Sequence, residues 1–415
     1  MPKKTINDLP RDLTGKKVLA RFDLNVGIDE DTGEIRNDRR IRAALPTLQN
    51  LLSRGAAVIA MSHLGRPKPA GDPKKNAPYR MDHVAKKIGE YLKRPVEKAN
   101  DVAGPDARAK AAALKPGQVL VLENVRFDPR EQPKKDSTPE EIAAHDKGMA
   151  EFAGALAGLG DIYVNDAFGT LHNKDVSVLA LPKAMKDKPR VIGLLVEKEL
   201  KSVDDLLSNP KRPMLAIMGG AKVSDKINFI KVLLGQVDKL LIGGAMTYTF
   251  MLAKGQKIGS SKAEADKLDL ARDLLQTGGN KIILPTDHLV ADKFDKSATT
   301  KVVVGNIPDG WMGMDIGPAT INKYEDEIRH AATVVWNGPM GLFEWGPPFA
   351  DGTQAVAHGL KVCAGTTIVG GGETAEAVEE MGMVDDMSHV STGGGAFLKY
   401  VEDRKFKTLD QIEDR

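Results

Sequence analysis

The chain has 415 residues, and its 59 lysines and arginines nearly balance its 57 aspartates and glutamates, which leaves a net charge of +2. This balance excludes a general nucleic-acid binder, because such proteins carry a large excess of positive charge. The sequence has no apolar run long enough for a membrane span, its first residues do not form a signal peptide, and Cys363 is its single cysteine. We therefore expect a cytoplasmic protein without a disulfide framework and without nucleic-acid or membrane partners.

Short apolar runs alternate with helical patterns along the first half of the chain. The helical pattern at residues 39–54 ends at Gly55, and Thr138-Pro-Glu-Glu141 is a capping box with proline in the first turn of another helix. Residues 128–136 are rich in proline and charge, so we predict a surface loop there. The runs predicted to form buried strands are 18–22, 57–61, 119–122 and 162–164.

The second half repeats this alternation, with predicted strands at 214–217, 239–242, 281–284, 301–304, 333–336 and 366–369. Repeated units of strand, helix and strand predict an α/β fold, in which a parallel sheet has helices on both faces. Because 415 residues are too many for one core, we expect two doubly wound parallel-sheet, Rossmann-like domains joined by a helical hinge. The first domain comprises residues 1–189 and the tail 404–415, the hinge residues 190–207, and the second domain residues 208–403.

One stretch of the second half, residues 215–227, has the pattern of an anion site. An apolar run leads into Gly219 and Gly220, and Lys222 follows where a helix is expected to begin. Glycines allow close approach of the backbone, and a helix N-terminus attracts anions. Lys226 comes four residues later, on the same face of the expected helix. A plain connection from strand to helix with solvated lysines explains this stretch, taken alone, equally well.

Polar residues follow the predicted strands of the first half, at the positions where ligands bind in parallel sheets. Arginines occur after three successive strands, and Arg40 stands at the start of the first helix. The planar fork of arginine binds phosphate and carboxylate with two hydrogen bonds, so we predict a basic pocket for a small anion that also carries hydroxyl groups. The residues at these strand ends are Arg21, Asp23, Asn25, His63, Gly65, Arg66 and Arg126.

The corresponding positions of the second half carry glycine-rich loops at 243–246, 336–341, 370–374 and 391–395. Their backbone N–H groups suit the body and polyphosphate of a nucleotide. A Walker sequence is absent, and the loose dinucleotide fingerprint at 370–375 lacks a following βα unit of suitable length, which argues against NAD. Glu373 is a candidate Mg²⁺ ligand, although an acidic residue in a first helical turn also suits the helix dipole.

Several long motifs are spread over both halves of the sequence. They are Arg-Phe-Asp-Leu-Asn-Val (21–26), Ser-His-Leu-Gly-Arg-Pro (62–67), Leu-Glu-Asn-Val-Arg-Phe (122–127), Val-Asn-Asp-Ala-Phe-Gly-Thr (164–170), Gly-Gly-Ala-Lys-Val-Ser-Asp-Lys-Ile (219–227), Trp-Asn-Gly-Pro-Met-Gly (336–341) and Ser-Thr-Gly-Gly-Gly-Ala (391–396). In these motifs and in their order, the chain resembles the phosphoglycerate kinase family over nearly its full length.

The resemblance implies a monomeric, two-lobed glycolytic enzyme that moves a phosphoryl group reversibly between 1,3-bisphosphoglycerate and ADP with Mg²⁺. Two lobes also imply that turnover requires closure about the hinge. By the resemblance, Arg40 and Lys222 are catalytic and flank the moving phosphoryl group, and Glu344 binds ribose hydroxyls. The implied glycerate-binding residues are Asp23, Asn25, Arg40, His63, Leu64, Gly65, Arg66 and Arg126, with Asn173 at a further such position. The implied nucleotide-binding residues are Lys222, Lys226, Gly244, Gly313, Asn337, Glu344, Gly371, Gly372, Glu373 and Thr374, with Glu373 holding the metal directly or through water.

The sequence departs from the family pattern at a few positions. Where the family has His-Arg-x-His, this chain has His-Asn-Lys-Asp at 172–175, so Asn173 replaces a substrate-binding arginine and Lys174 is a candidate for supplying the lost charge. Glu373 stands in place of an aspartate, and Gly27 in place of a proline. We expect an active enzyme with altered affinity. The alternatives are a non-catalytic nucleotide-binding relative that acts as an interaction module, and a kinase for another small carboxylate.

Overall fold

The computed structural model describes residues 2–67, 73–134 and 137–415, and the chain divides into two units. Unit 1 comprises Met1–Leu200 and Lys405–Arg415, and unit 2 comprises Lys201–Arg404. Each is built on a six-stranded parallel sheet with helices in the connections, which confirms the predicted α/β class. None of the helices in the described part of the chain has both the length and the apolar composition of a membrane span.

The strands of unit 1 are β1 (Lys17–Phe22), β2 (Gly27–Ile28), β3 (Ile35–Asn37), β4 (Ala57–Met61), β5 (Glu97–Lys98), β6 (Val119–Val121), β7 (Ile162–Asp166) and β8 (Arg190–Ile192). The parallel sheet has the order β5-β6-β4-β1-β7-β8, and β2 and β3 form a separate hairpin. Its central strands are buried on both faces, which explains why they appear in the sequence as mainly apolar runs. All the strands predicted for this half are confirmed, whereas β5 (Glu-Lys) and β8 (Arg-Val-Ile) contain charged residues and form no apolar run.

The helices of unit 1 are α1 (Arg39–Ser53), α2 (Pro73–Asn76), α3 (Asp82–Leu92), α4 (Pro105–Ala113), α5 (Pro139–Ala157), α6 (Leu181–Ala184) and α7 (Leu194–Ser208), the last of which continues into unit 2. Helix α5 begins with the predicted capping box. Thr138 Oγ1 accepts a hydrogen bond from the Glu141 N–H, and the Glu141 carboxylate accepts one from the Thr138 N–H. The end of the chain belongs to this unit, where Lys3 and Asp414 form an ion pair of 2.7 Å.

Two expectations for unit 1 need correction. The segment 128–136 is not simply a surface loop, because Glu131 is fully buried; Lys135 and Asp136 lie outside the described residues. The segment 190–207 begins with β8, which pairs with β7 inside the sheet of unit 1, and α7 occupies most of the rest. Closure about this segment remains a prediction.

The strands of unit 2 are β9 (Met214–Met218), β10 (Lys239–Ile242), β11 (Ile282–Ile283), β12 (Asp287–Ala291), β13 (Thr300–Val304), β14 (Met312–Ile316), β15 (Thr333–Asn337), β16 (Thr366–Gly370) and β17 (His389–Val390). Its parallel sheet has the order β11-β10-β9-β15-β16-β17. The strand predicted at 301–304 exists, but it does not belong to this sheet. It pairs in the antiparallel sheet β13-β12-β14, where Val304 is 80% exposed, so its apolar residues do not reflect burial between helices.

The helices of unit 2 are α8 (Ile227–Leu234), α9 (Met246–Ala253), α10 (Leu268–Gly278), α11 (Pro318–Arg329), α12 (Asp351–Val362), α13 (Gly372–Glu380) and α14 (Gly394–Asp403). The apolar sides of α11 and α12 pack with β9 and β15 in one buried cluster that includes Trp336. This packing fixes the carboxyl ends of the strands, from which the loops described below emerge.

Candidate active site

A cavity of about 370 Å³ lies at the carboxyl end of the sheet of unit 1. We call it the basic cavity, and its lining residues are Asp23, Asn25, Arg40, His63, Gly65, Arg66, Arg126, Gly169, Thr170, His172 and Asn173. The structure therefore brings together nearly all the acid-binding residues expected from the sequence. Leu64 is the exception, because its side chain is buried in the apolar core rather than in the cavity lining.

An ion pair of 2.6 Å between Arg40 and Asp23 forms one side of the basic cavity. Asp23 is almost fully buried, which alone raises the pKa of its carboxyl group. The Arg40 charge and its neighbours outweigh this effect, so the pKa of Asp23 is lowered and the group stays a carboxylate. Next to it, Asn25 Oδ1 accepts the Gly65 N–H at 2.7 Å, which fixes the turn after β4.

The remaining cations differ in their burial. Arg66 is exposed, whereas Arg126 is partly buried and donates from Nη1 to the Gly65 carbonyl at 2.8 Å. Burial lowers the pKa of Arg126, and the Asp175 carboxylate opposes this effect. His63 is buried, and burial together with the Arg21 charge holds its pKa well below the usual value, so the ring is neutral.

Two expectations about charge in this cavity need correction. Arg21 does not line it, because its side chain is completely buried behind the cavity, against His63. Lys174 is exposed and is not part of the lining, so it does not replace the charge missing at Asn173. Asn173 Nδ2 instead donates to the Asp175 carboxylate at 3.3 Å.

In unit 2, the glycine-rich loops meet at the carboxyl end of the sheet. We call the loops 219–220, 243–246, 337–341, 371–374 and 391–395 the glycine cradle. The Gly220 N–H donates to Pro339 O at 2.9 Å, and the Gly244 N–H donates to Met340 O at 2.9 Å. A Cβ atom at Gly219 would lie 2.0 Å from Pro339 O. Glycine is therefore required at position 219 for the packing of two loops, independently of any ligand.

The two lysines of this region do not share a helical face, which corrects the sequence prediction. Helix α8 begins only at Ile227, after a 3₁₀ turn, so Lys222 lies in the preceding loop and is exposed. Lys226 Nζ donates to the Gly219 carbonyl at 2.8 Å. Burial lowers the pKa of Lys226 to about 8, although the Glu373 and Asp225 carboxylates act in the opposite direction.

A buried donor without a partner lies inside the glycine cradle. Asn337 Nδ2 makes no hydrogen bond within the described part of the chain, and a Cβ atom at Gly371 would lie 2.9 Å from it. Thr374 Oγ1 accepts the Gly338 N–H at 2.6 Å and so joins the loops after β15 and β16. Because a buried donor is costly to leave unpaired, Asn337 Nδ2 is available to an acceptor from outside the described part of the chain.

The other candidate nucleotide residues lie around this point or away from it. Gly372 and Glu373 open helix α13, and Glu373 and Glu344 are exposed. Gly313 lies on β14 of the small sheet, where its N–H donates to Ser261 Oγ at 2.8 Å. Over residues 2–67, 73–134 and 137–415, no three His, Cys, Asp or Glu side chains group as a protein metal site requires.

These features define a class of protein: a small-molecule kinase in which one α/β unit offers a cationic cavity for an acid and the other offers backbone donors for a nucleotide. A family model described as phosphoglycerate kinase matches residues 6–404. The chain therefore belongs to the phosphoglycerate kinase family, whose members are phosphotransferases with a carboxyl group as acceptor and use ADP and ATP as substrates.

Similar proteins agree with this assignment. The chain is 49% identical over 418 residues to the phosphoglycerate kinase of Rhodopirellula baltica and 48% identical over 423 residues to that of Chloroflexus aurantiacus, and each pair is covered over 100% of both chains. The solved structure of phosphoglycerate kinase from Coxiella burnetii is 34% identical, with a TM-score of 0.82 over 99% of this chain and 98% of that one.

Proposed function

We propose that the protein transfers a phosphoryl group reversibly from the acyl phosphate of 1,3-bisphosphoglycerate to ADP, which yields ATP and 3-phosphoglycerate. The observation that carries the proposal is the basic cavity, where three arginines and a neutral histidine line the same space as Asp23 and Asn25. A three-carbon acid with a phosphate, a hydroxyl and a carboxylate matches this mixture of cations and hydrogen-bond acceptors. The cavity therefore supports glycerate more strongly than an acid without a hydroxyl group.

The acid-binding roles follow from the charges of the side chains. Arg66 and Arg126 bind the anionic groups of the acid, since both present guanidinium donors at the cavity. Asp23 remains ionised, so it accepts a hydrogen bond from the hydroxyl group of the substrate. Arg40 forms an ion pair with it and is available to the carboxylate that receives the phosphoryl group.

The nucleotide roles are assigned to the glycine cradle. Asn337 Nδ2 supplies the donor that lacks a protein partner, and the N–H groups at the start of α13, at Gly371 and Gly372, face the phosphates. Lys226 is held at Gly219 and binds phosphate when the nucleotide arrives. The further proposed contacts are Lys222, Gly244, Gly313 and Thr374, with Glu344 on the ribose hydroxyls.

Transfer itself needs no protein base. In the direction that consumes ATP, an oxygen of the 3-phosphoglycerate carboxylate forms a bond to the γ-phosphorus while the bond to the β-phosphate oxygen breaks. The attacking carboxylate is already ionised at neutral pH, so no proton has to be removed. The protein therefore contributes positioning and neutralisation of negative charge, and we assign the latter to Arg40 and Lys222.

The residues of the glycine cradle fit Mg²⁺ bound to the nucleotide. Negative side chains are close together at this end of unit 2, because burial and the carboxylates of Glu380, Glu344 and Glu373 raise the pKa of Glu376. Glu373, exposed in the first turn of α13, would hold the ion directly or through water, and one carboxylate suffices because Mg²⁺ keeps waters and binds substrate phosphates. When bound, the ion supplies positive charge to the phosphate oxygens.

The test is ATP formation from 1,3-bisphosphoglycerate and Mg-ADP in a coupled assay, with Arg126→Met compared with Arg130→Met. Arg130 is a matched control because it pairs with Asp128 and does not line the basic cavity. We expect the native chain to turn over. In Arg126→Met the half-saturating acid concentration should rise about 10-fold or more, because the variant loses the binding free energy of a charged hydrogen bond. Arg130→Met should behave like the native chain.

Two outcomes would replace the proposal with its alternatives. Absent turnover at saturating substrate, combined with intact Mg-nucleotide binding, would favour a non-catalytic interaction module. Turnover of a different acid but not of glycerate would favour a kinase for that acid. A thermal-shift panel of small carboxylates with and without Mg-ADP separates these cases, because a ligand that binds the native state raises its melting temperature.

We also propose that the protein is a cytoplasmic monomer. A single cysteine fits a reducing compartment such as the cytoplasm, because it leaves no partner within the chain for a disulfide. Sedimentation velocity at micromolar concentration tests the monomer, and cell fractionation tests the compartment.

A further inference from the structure

Behind the basic cavity lies a chain of four hydrogen-bonded polar side chains. The Glu131 carboxylate accepts the Ser177 hydroxyl at 2.5 Å and the Ser177 N–H at 3.0 Å. Ser177 Oγ accepts Arg21 Nε at 2.9 Å, and Arg21 Nη2 lies 3.1 Å from His63 Nδ1. Glu131, Ser177 and Arg21 are fully buried, and only His63 reaches the cavity.

The direction of the last hydrogen bond fixes the protonation of His63. A guanidinium group has only donors, so the Arg21 contact requires an unprotonated Nδ1 on His63. Because His63 is neutral, its proton is on Nε2. A doubly protonated ring would place two donors against each other at 3.1 Å. His63 therefore has one hydrogen bond to donate, from Nε2, at the cavity that it lines.

We propose that Arg21, Ser177 and Glu131 are positioning residues that hold His63 in the single tautomer able to donate a hydrogen bond to an anionic acid. The tautomer of His63 follows from these hydrogen-bonded side chains, whereas its role in binding an acid rests on the proposed function. In the opposite tautomer Nε2 would present a lone pair, which repels phosphate or carboxylate oxygens. Glu131, at the buried end of these hydrogen bonds, thus determines through Ser177 and Arg21 whether His63 attracts the substrate.

The fold supports this chain from separate parts of unit 1. Arg21 belongs to β1, Ser177 to the π-helical turn Val176–Ala180, and Glu131 to the segment after β6. The Val176 N–H donates to Glu131 O at 2.8 Å, which fixes the turn to the segment. These contacts explain why a glutamate in a stretch rich in charge is completely buried.

The Glu131 carboxylate lies at the end of these hydrogen bonds opposite His63, and its charge depends on its neighbours. Burial raises the pKa of Glu131 to about 7, a change that Arg21 opposes and the Asp175 carboxylate reinforces. Tyr163 is a further titratable neighbour, and its hydroxyl donates to Ser177 O at 3.0 Å and accepts Asn165 Nδ2 at 3.2 Å. The Arg21 charge favours the ionised form of Glu131, and Ser177 joins the two groups by hydrogen bonds.

The test begins with the tautomer of His63 in the full-length protein without ligands. Long-range ¹H–¹⁵N NMR spectra distinguish a bare ring nitrogen from a protonated one, and His63→Gln identifies the signals. We expect Nδ1 bare and Nε2 protonated in the native chain, and a mixture of tautomers in Ser177→Ala and Glu131→Gln. Tyr163→Phe is the control, because it removes a buried hydroxyl beside Ser177 but no member of the chain.

Kinetics provide the second readout. In Ser177→Ala and Glu131→Gln we expect the half-saturating concentration of 3-phosphoglycerate to rise about 3- to 10-fold, the effect of one weakened hydrogen bond. The kcat and the half-saturating nucleotide concentration should stay near native, as should all values of Tyr163→Phe. Ser177→Ala removes one oxygen, and thermal melts verify that both variants fold.

Two results would overturn the inference: a native His63 with its proton on Nδ1, or Ser177→Ala indistinguishable from Tyr163→Phe in both the spectrum and the kinetics. A third combination is that the native protein has the expected His63 tautomer and Ser177→Ala loses it, but the native protein does not turn over 3-phosphoglycerate. This result would support the positioning role of Arg21, Ser177 and Glu131 and would refute the proposed function. The NMR spectrum thus separates a failure of the positioning inference from a failure of the proposed function.

Discussion

Replacing Asn173 by arginine tests how much of the affinity for the acid depends on one missing charge. Asn173 lines the basic cavity and donates to Asp175 at 3.3 Å, so a longer side chain from this position starts at the cavity wall. A charged hydrogen bond contributes ~1.5–3 kcal/mol, which corresponds to roughly 10- to 150-fold in affinity. The buried Asp175 carboxylate competes for the new guanidinium, so we expect the lower end of this range, a decrease of about 10-fold in the half-saturating concentration of 3-phosphoglycerate.

The assay is steady-state ATP consumption over a wide range of 3-phosphoglycerate, with Lys174→Met measured alongside Asn173→Arg. Lys174 is exposed and outside the cavity lining, so its replacement should leave the half-saturating concentration unchanged. The kcat should change little in both variants, since neither position carries the charge assigned to the moving phosphoryl group. The reasoning is refuted if Asn173→Arg has no effect while Lys174→Met raises the half-saturating concentration, because Lys174 would then supply the missing charge.

Three further predictions follow from the structure. Burial lowers the pKa of Lys226 to about 8, and bound phosphates should raise it again. Nucleotide binding should therefore take up protons near and above pH 8 and should weaken as the pH rises. Calorimetry in two buffers of different ionisation enthalpy should detect the proton uptake, and Lys226→Met should abolish it. Gly219→Ala places a Cβ atom 2.0 Å from Pro339 O and should lower the free energy of unfolding of unit 2 by ~1–3 kcal/mol in urea titrations, whereas Gly154→Ala, with open space around the new methyl group, should not. Thr138→Ala removes the capping box of α5 and should cost ~1 kcal/mol in the same titrations, with unchanged half-saturating concentrations; an unchanged stability would contradict the assigned cap.

The sequence predicts the parallel sheets well because their strands are buried on both faces. Strands β4 and β9 are continuous apolar runs, and β1 is apolar except for Lys17 and Arg21, so local composition indicates where these strands lie. The antiparallel sheet is different, because β12 and β14 carry polar residues and β13 is largely exposed. The apolar run of β13 therefore predicts a strand but assigns it to the wrong sheet, whereas β12 and β14 contain polar residues and are not predicted at all.

The basic cavity was predictable because its residues follow successive strands, and parallel strands end at one edge. Two details depend on contacts that the local sequence does not contain. Glu131 is buried by Ser177, which is 46 residues away along the chain. Lys222 lies outside α8, because the 3₁₀ turn Ser224–Lys226 precedes the helix, which begins only at Ile227. Local propensity does not specify either arrangement.

The pairing of the two chain ends has a consequence for biosynthesis. Unit 1 needs residues 405–415, since Thr408 donates to Leu171 O at 2.6 Å and Phe406 packs edge-on against Phe168. These residues are synthesised after every residue of unit 2. Unit 2 can therefore fold as soon as its own residues have emerged from the ribosome, whereas unit 1 has to wait until residues 405–415 have followed.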